Sequence, residues 1–221
     1  MTGSRFLAVA ALPLILALSA CETESTLPES LGFGANPQLP QARVQRVPTV
    51  KIAPAVGWPA GVTPVAAQGL AVNAFASGLD HPRWLYELPN GDVLVAETNA
   101  PPKPEASGGG GIRGWFERRI MGKAGARAPS ANRITLLRDA DGDGVAETKT
   151  VFLSGLMSPF GMALIGERLF VANADAVVAV PYQTGQTRID AAPVKIADLP
   201  AGRNHHWTKS LVASPDGSKL Y

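Results

Sequence analysis

The octapeptide FASGLDHP at residues 75–82 recurs as FLSGLMSP at residues 152–159, and this recurrence is the strongest indication of the fold. Each copy is followed by a short apolar segment, a turn and a second apolar segment, which reads LVAE at residues 94–97 and FVAN at residues 170–173. A third, shorter copy begins at Ile196. Recurrence of this kind indicates an architecture assembled from equal structural units.

The spacing of the copies indicates which unit is repeated. Leu156 and Leu199 stand 43 positions apart, whereas Leu79 and Leu156 stand 77 positions apart. The longer interval contains an insertion at residues 100–131, and without it the spacing falls to about 45, close to the shorter one. A period in the low forties is typical of β-propeller blades, each of which holds four antiparallel strands.

Short apolar segments separated by turn residues fill the chain after residue 69, so the sequence predicts an all-β domain. Asn90-Gly91 between two such segments is a strong hairpin signal. The predicted strands are residues 72–76, 84–88, 93–96, 133–137, 150–153, 162–165, 169–172 and 177–180, with the inner strand of a third blade at 207–213. Residues 69–221 are therefore predicted to form about two and a half blades of a β-propeller. Because residues 213–221 read as a strand, a turn and the opening of another strand, we expect this sequence to belong to a longer protein.

The N-terminus predicts an exported lipoprotein. Arg5 precedes the uncharged apolar segment 6–20, which has the length of a signal-peptide core and is too short to span a bilayer. Leu18-Ser19-Ala20 before Cys21 resembles a lipobox, so we expect lipidation at Cys21 and attachment to a bacterial membrane, on the periplasmic side, through this anchor alone. Cys21 is the single cysteine, and no internal disulfide is possible. Residues 21–68 are predicted to form a flexible tether.

Two further segments and the overall charge complete this outline. Residues 51–59 are predicted to pack on the domain as an arm. Residues 112–123, inside the insertion, form a short basic stretch that we expect to be an amphipathic helix, either contacting a membrane or partner or lying as a surface helix on the domain. The net charge is +2, which gives no indication of nucleic-acid binding.

The histidines are the first candidates for chemistry. His205 and His206 directly precede the predicted inner strand 207–213, and inner strands of propellers begin at the channel mouth, where ligands bind. An imidazole can take a proton from a hydroxyl near neutral pH because its unperturbed pKa is about 6.5. His81 lies in a blade-opening turn, at the position that Ser158 occupies in the second copy. Two solvated loop histidines remain the alternative for the pair at 205 and 206.

Residues 199–206, with Leu211-Val212 and Pro215-Asp216, resemble the segment of the soluble quinoprotein glucose dehydrogenase and sorbosone dehydrogenase family that carries the catalytic histidine. Residues 75–85 and 89–97 resemble the first blade of the sorbosone dehydrogenase branch. The resemblance extends from about residue 58 to residue 221 and implies a six-bladed propeller that binds pyrroloquinoline quinone (PQQ) and Ca²⁺. It further implies oxidation of a sugar hydroxyl or hydrated aldehyde by hydride transfer to the quinone, with electrons passing to a periplasmic acceptor.

The same resemblance implies roles for individual residues. His206 falls on the family's base, and His205 on a neighbouring cofactor-side position that is an aspartate in the glucose enzymes. Asp92 falls near a cofactor-contacting position of the first blade. The quinone-binding arginines and most calcium ligands of the family are expected beyond Tyr221. The alternative function is that of a noncatalytic periplasmic propeller lipoprotein that binds a glycan or a protein.

An acidic loop is the remaining motif. Asp139, Asp141 and Asp143 alternate with small residues, and Glu147 follows, so several hard oxygens come from one turn, as a Ca²⁺ site requires. An EF-hand has an acidic residue at its twelfth position, where this sequence has Thr150. The two open interpretations are a structural Ca²⁺ site and an Asp/Gly-rich hairpin turn between the third and fourth strands of the first blade.

Overall fold

The structure is a computed structural model that describes residues 28–38, 52–102, 111–125, 128–202 and 206–221. The chain divides into two compact units, Met1–Ala53 and Pro54–Tyr221. In the described part of the first unit, a 3-10 helix spans Glu29–Gly32. The predicted signal peptide, Cys21 and most of the predicted tether lie outside the described residues. No helix among the described residues is long and apolar enough to cross a membrane.

The first sheet contains four antiparallel strands that are adjacent in sequence order. They are β1 (Pro82–Glu87), β2 (Val93–Glu97), β3 (Arg133–Arg138) and β4 (Thr148–Leu153). The predicted hairpin joins β1 to β2: the Gly91 amide donates to the Leu88 carbonyl at 2.9 Å, and Gly91 has a φ of +86°, which favours glycine. We call this sheet the first blade.

The second sheet repeats the arrangement of the first. Its strands, again in sequence order, are β5 (Met162–Ile165), β6 (Arg168–Ala172), β7 (Ala176–Pro181) and β8 (Val194–Asp198). We call it the second blade. Two successive four-stranded meanders confirm the all-β, propeller-type prediction, and the third copy of the repeat begins within β8.

The main core lies between one face of each blade. The alternating strand residues Leu94, Ile134 and Leu136 of the first blade and Leu169 and Val171 of the second are fully buried there. Alternation places every second side chain of a strand on the same face of its sheet, so each blade directs one apolar row at the other. The blades are therefore stacked face to face through apolar contacts.

The first strands of successive units lie side by side. Trp84 of β1 contacts Phe160, just before β5, with ring centroids 4.9 Å apart. The Gly161 amide in turn donates to the Lys209 carbonyl at 3.0 Å. A Cβ atom at position 161 would overlap the Leu211 amide nitrogen, so only glycine allows this approach. These contacts identify the beginnings of the units as the inner side of the assembly.

Residues 206–221 cover the second blade's other face. Leu211 is buried against Ala163 and Ala172, and the Val212 and Tyr221 amides donate to each other's carbonyls at 2.9 and 2.8 Å. The predicted turn between them is present, since the Gly217 amide donates to the Ser214 carbonyl at 2.9 Å. This is the start of a third blade.

Three predictions about elements need correction. Residues 72–76 form no strand, because no neighbouring strand pairs with them among the described residues. Residues 207–213 likewise form no full strand and contribute only the bridge between Ala213 and Leu220. The insertion does contain a helix, α1 (Gly111–Lys123), but its apolar and polar positions are scarcely separated, so it is not amphipathic. The predicted arm contacts its end, where the Ala55 amide donates to the Lys123 carbonyl at 2.9 Å.

Candidate functional site

His206 directly precedes Trp207 at the start of the third unit. It is exposed, whereas the next residue, Trp207, is buried and its ring lies against Arg83 of β1. The Lys209 ammonium lies 3.4 Å from the His206 carbonyl oxygen. Because Gly161 fixes the path of residues 209–211, the backbone that carries this imidazole is tied to the second blade. His205 lies outside the described residues.

Arg83 of β1 joins the first unit to this region. Its guanidinium carbon lies 5.1 Å from the centroid of the Trp207 ring, a cation-π contact. No carboxylate of a described residue forms an ion pair with Arg83. Arg83 is exposed, and its guanidinium stands beside the histidine segment without an ion pair to a described residue, so its five donors are accessible to an anion.

The second blade contributes two polar atoms at the same end. Ser158 Oγ and Asn173 Oδ1 are buried and have no hydrogen-bond partner among the described residues. These residues occupy the positions that His81 and Glu97 occupy in the first copy of the repeat. Buried polar atoms are nearly always paired, so these two have the capacity to bind water or a ligand.

Glu97 is the most deeply buried charge of the first blade, and it serves the structure. Arg133 donates to both of its oxygens, at 3.0 and 2.9 Å, and the Thr135 hydroxyl and the Asp80 amide donate as well. Burial disfavours the charged carboxylate, but the hydrogen bonds from Arg133, Thr135 and Asp80 outweigh it and lower the pKa of Glu97. Arg133 also forms an ion pair with Asp80 at 2.7 Å, so two carboxylates neutralise its charge.

Asp92, predicted to contact the cofactor, is held in an ion pair within the sheet. Arg138 donates to the two carboxylate oxygens of Asp92 at 2.6 and 2.7 Å, and the side-chain amide of Asn90 donates at 2.8 Å. These hydrogen bonds, those from Arg138 foremost, lower the pKa of Asp92 despite its burial. The pair gives Asp92 a structural role across β2 and β3, and its contact with a cofactor stays a prediction.

Acid is expected to weaken the folded state through Asp92. Its folded-state pKa lies below the value of about 3.9 for an unfolded aspartate, so the folded chain takes up this proton less readily. The contribution of the pair is therefore complete above about pH 4 and is lost as the pH falls through the folded-state pKa. Asp92→Asn is expected to cost about 2 kcal/mol at pH 7 and to flatten the acid dependence, as measured by urea unfolding.

The control for this prediction is Asp190→Asn. Asp190 pairs with Arg188 at 2.6 Å, but both side chains are more than 70% exposed, so the change is expected to stay within about 0.5 kcal/mol. An Asp92→Asn protein that loses stability below pH 4 as steeply as the parent would contradict the assignment.

The acidic loop forms the turn between β3 and β4, which is one of the two interpretations of its sequence. Its composition also suits a cation site. Oxygen atoms of Asp139, Asp141, Asp143 and Glu147 all lie within 4.8 Å of one another. Asp139 accepts from the Gly144 and Gly142 amides at 2.8 and 2.7 Å, and these hydrogen bonds, that from Gly144 foremost, lower the pKa of Asp139 and order the turn. The other three carboxylates are exposed. The cluster can hold a metal ion, and calcium remains a prediction.

Family comparison gives one decisive match. The model of the family described as "Domain of unknown function (DUF7133)" matches residues 81–221. This chain belongs to that family. The match begins at His81, within the first repeat copy, and includes both blades, the acidic loop and His206. None of the curated proteins compared with the chain matches it.

Two solved structures are similar to this member of the DUF7133 family. The iodide structure of Trichoderma reesei Carbohydrate-Active Enzymes Family AA12 has 17% sequence identity to this chain and a TM-score of 0.48. The aligned part is 71% of this chain and 33% of the chain in that structure. The holo form of the pyranose dehydrogenase PQQ domain from Coprinopsis cinerea has 16% identity and a TM-score of 0.40, covering 64% and 26% respectively. The chain spans about a third or less of each structure. Likenesses of this strength carry no information about ligand or reaction.

Sequence reasoning missed part of this site. Arg83 follows the blade-opening proline, at the position that Phe160 occupies in the second copy, and this exchange of an aromatic residue for a cation was the available signal. The contact of Arg83 with Trp207 joins residues 124 positions apart. No local pattern reports such a contact.

Proposed function

We propose that this chain forms the first blades of a PQQ-dependent dehydrogenase that oxidises a sugar hydroxyl or aldehyde. The observation that carries the proposal is the contact of Arg83 with Trp207, which brings a cation that forms no ion pair with any described residue next to the segment that resembles the family's catalytic-histidine segment. PQQ, when bound, supplies a quinone that accepts a hydride. Its carboxylates match the chemistry of Arg83, and the unpartnered polar atoms of Ser158 and Asn173 suit a polar ligand at the same end.

His206 is proposed as the general base. As the carbon-bound hydrogen leaves the substrate with its electron pair, the hydroxyl proton passes to an imidazole nitrogen of His206, so that the alcohol becomes a carbonyl group. The exposure of His206 leaves the imidazole accessible to a substrate. Its backbone is fixed through Gly161 and Lys209, which favours a constant position for the base. His205 and Asp92 are retained as proposed cofactor neighbours on the family resemblance alone.

Calcium is proposed as the second cofactor. The acidic loop is the candidate for a structural Ca²⁺ in the described residues, with ligands from Asp139, Asp141 and Asp143 and with Glu147 beside them. The metal that serves the reaction itself is assigned on the resemblance to a site formed mainly outside this sequence.

The location of the protein is proposed from the N-terminal segment. Residues 1–20 direct export, and lipidation of Cys21 anchors the mature protein to a bacterial membrane with its blades in the periplasm. Electrons then leave to a periplasmic acceptor.

Reconstitution tests this function. The complete mature protein is combined with PQQ and Ca²⁺, and dye reduction is followed with several aldoses and with sorbosone. Sugar-dependent reduction that requires PQQ is the expected result. Quinone binding without turnover would contradict the reaction, and absence of both would favour the alternative of a noncatalytic lipoprotein that binds a glycan or protein.

Replacing Arg83 is expected to weaken quinone binding. Arg83→Gln removes a charge-assisted contact, typically about 1.5–3 kcal/mol, so the affinity for PQQ should fall at least about tenfold in a fluorescence titration. The PQQ affinity of Arg83→Lys should lie between those of the parent and Arg83→Gln, because the ammonium group keeps the positive charge but lacks the planar guanidinium. Arg188→Gln, which alters an exposed arginine of the second blade, is the matched control. If Arg83→Gln and Arg83→Lys bind PQQ as tightly as Arg188→Gln does, Arg83 is excluded from the site.

Calcium is expected to stabilise the chain through the acidic loop. For a site with a dissociation constant near 0.1 mM, 10 mM Ca²⁺ adds about 2.7 kcal/mol to the free energy of unfolding, seen as a raised melting temperature. Asp141→Asn combined with Asp143→Asn should remove most of this increase. Asp190→Asn should keep it, and an increase that persists in the double variant would place the ion elsewhere.

A further inference from the structure

The excess positive charge of the chain lies in the insertion at residues 100–131. This segment contains six lysines and arginines and two glutamates, a net charge of +4, whereas the whole chain has a net charge of +2. The remaining residues, taken together, are therefore weakly acidic. A concentration of basic residues in one segment indicates a surface for an anionic partner.

Helix α1 carries part of this charge on one face, together with an aromatic ring. Positions 115, 119 and 123 follow one another at intervals of one turn, and position 118 adjoins them. The side chains at these positions are exposed, and we call them the basic face: Trp115, Arg118, Arg119 and Lys123. The guanidinium carbon of Arg119 lies 6.0 Å from the centroid of the Trp115 ring, which is 53% exposed.

The basic face has the composition of a surface that binds lipid headgroups. Its apolar ring lies among the cations and not opposite them, which is one reason why the apolar and polar positions of α1 are scarcely separated. Tryptophan rings favour the level of the headgroups in a bilayer, where the lipid phosphates lie as well. None of the ion pairs between described residues involves Arg119 or Lys123, so these two charges are available to phosphate groups.

The C-terminal end of α1 is attached to the segment through which the chain arrives from its N-terminus. The Ala55 amide donates to the Lys123 carbonyl, one of the carbonyls that have no partner within a helix. Gly125 follows with a φ of +73°, and a Cβ atom there would lie 2.9 Å from the Cβ of Ala55, so glycine favours this close approach.

This attachment limits the distance between α1 and a membrane that holds the N-terminus. Cys21 and Ala55 stand 34 positions apart. A flexible chain of this length has a root-mean-square end-to-end distance of about 30–35 Å. An anchored chain therefore presents α1 to the membrane at an effective concentration on the order of millimolar, at which weak contacts are populated.

We propose that the basic face of α1 binds an anionic phospholipid surface, with its cations at lipid phosphates and the Trp115 ring among the headgroups. This contact adds to the proposed anchor and replaces the expectation that the anchor is the sole attachment to the membrane. The insertion joins β2 to β3 at the end of the first blade where β1 begins, so the contact turns that end towards the membrane. The proposed oxidation of a sugar has no part in this inference.

Quenching of Trp115 by lipids tests the contact. The 221-residue chain is added from detergent to vesicles of phosphatidylcholine with about 30% phosphatidylglycerol, whose acyl chains carry bromine near the headgroup, and to vesicles of brominated phosphatidylcholine alone. The apolar segment 6–20 or acyl chains at Cys21 hold the chain on either vesicle, so the outcome does not depend on lipidation. A Trp115→Phe variant identifies the share of Trp115 among the four tryptophans.

The emission of Trp115 is expected to be quenched on the anionic vesicles and to stay unquenched on the neutral ones. In 1 M NaCl the quenching should disappear, because the screening length falls to about 3 Å. Equal quenching on both vesicles would overturn the proposal. Absence of quenching on anionic vesicles that carry the chain would also overturn it, and would leave an acidic protein as the partner of the basic face.

Removal of charge provides a second readout. Arg119→Gln combined with Lys123→Gln keeps good helix formers and should lower the ratio of membrane-bound to free α1 about 25-fold, since each cation near an anionic surface contributes a factor of about five. Arg188→Gln combined with Lys195→Gln removes the same charge from exposed residues of the second blade and should leave the quenching unchanged. Similar losses for both pairs, or none for the first, would contradict the assignment to α1.

Discussion

Phe152→Ala is expected to destabilise the chain by about 3–5 kcal/mol, the largest effect on folding that we predict. Phe152 has no exposed surface and lies in the core between the two blades, where its ring meets that of Tyr182 edge to face at 6.2 Å between centroids. Removing the ring leaves a cavity in the interface between the two blades. Urea unfolding followed by circular dichroism measures the change.

Val151→Ala is the control for this result. Val151 is the neighbouring residue of β4, but its side chain points to the face of the sheet away from the second blade and is 48% exposed. Its truncation is expected to cost less than about 1 kcal/mol in the 221-residue chain. Similar losses of unfolding free energy for Phe152→Ala and Val151→Ala would mean that these two side chains do not lie on opposite faces of the first blade.

His206→Ala is expected to reduce turnover of the reconstituted enzyme about 10²- to 10⁴-fold, the range that a general base contributes. The reason is the loss of the group that accepts the hydroxyl proton while the hydride departs. PQQ affinity should change little, because the quinone is proposed to be held by other groups, Arg83 among them. Dye reduction under saturating PQQ and sugar measures turnover, and a fluorescence titration measures binding.

The pH profile separates a base from a residue that only shapes the site. Turnover of the parent should depend on pH as general-base catalysis requires, and the residual turnover of His206→Ala should lack that dependence. His81→Asn alters the other described histidine and suits its left-handed backbone, so it should retain turnover. Unaltered turnover in His206→Ala would reject the assigned base.

The boundaries of most strands were accessible from sequence because they depend on local patterns. Residues 162–165 were predicted as they are found in β5, and the Asn90-Gly91 turn lies between β1 and β2 as expected. The prediction for residues 72–76 was wrong for the described structure because a strand needs a partner. Its local pattern is that of β4, yet no inner strands lie beside it among the described residues.

The candidate site was predictable only where it lies within one segment. His206 and the acidic loop could be selected from their neighbours in sequence, and both lie at turns or unit openings in the structure. Asp92 could be selected as well, but its ion pair with Arg138 was not foreseen, because the two residues are 46 positions apart and meet through the pairing of β2 with β3.

The repeated unit, its period and the turns that separate its strands can be read from the order of apolar, glycine and proline residues within about ten positions. The tertiary structure alone decided which charges are neutralised and which are available. Glu97 and Asp92 are paired with arginines on the neighbouring strand, while Arg83 meets the ring of Trp207 from a different unit. Such pairings depend on sheet register and on the stacking of blades, which join residues that are far apart along the chain.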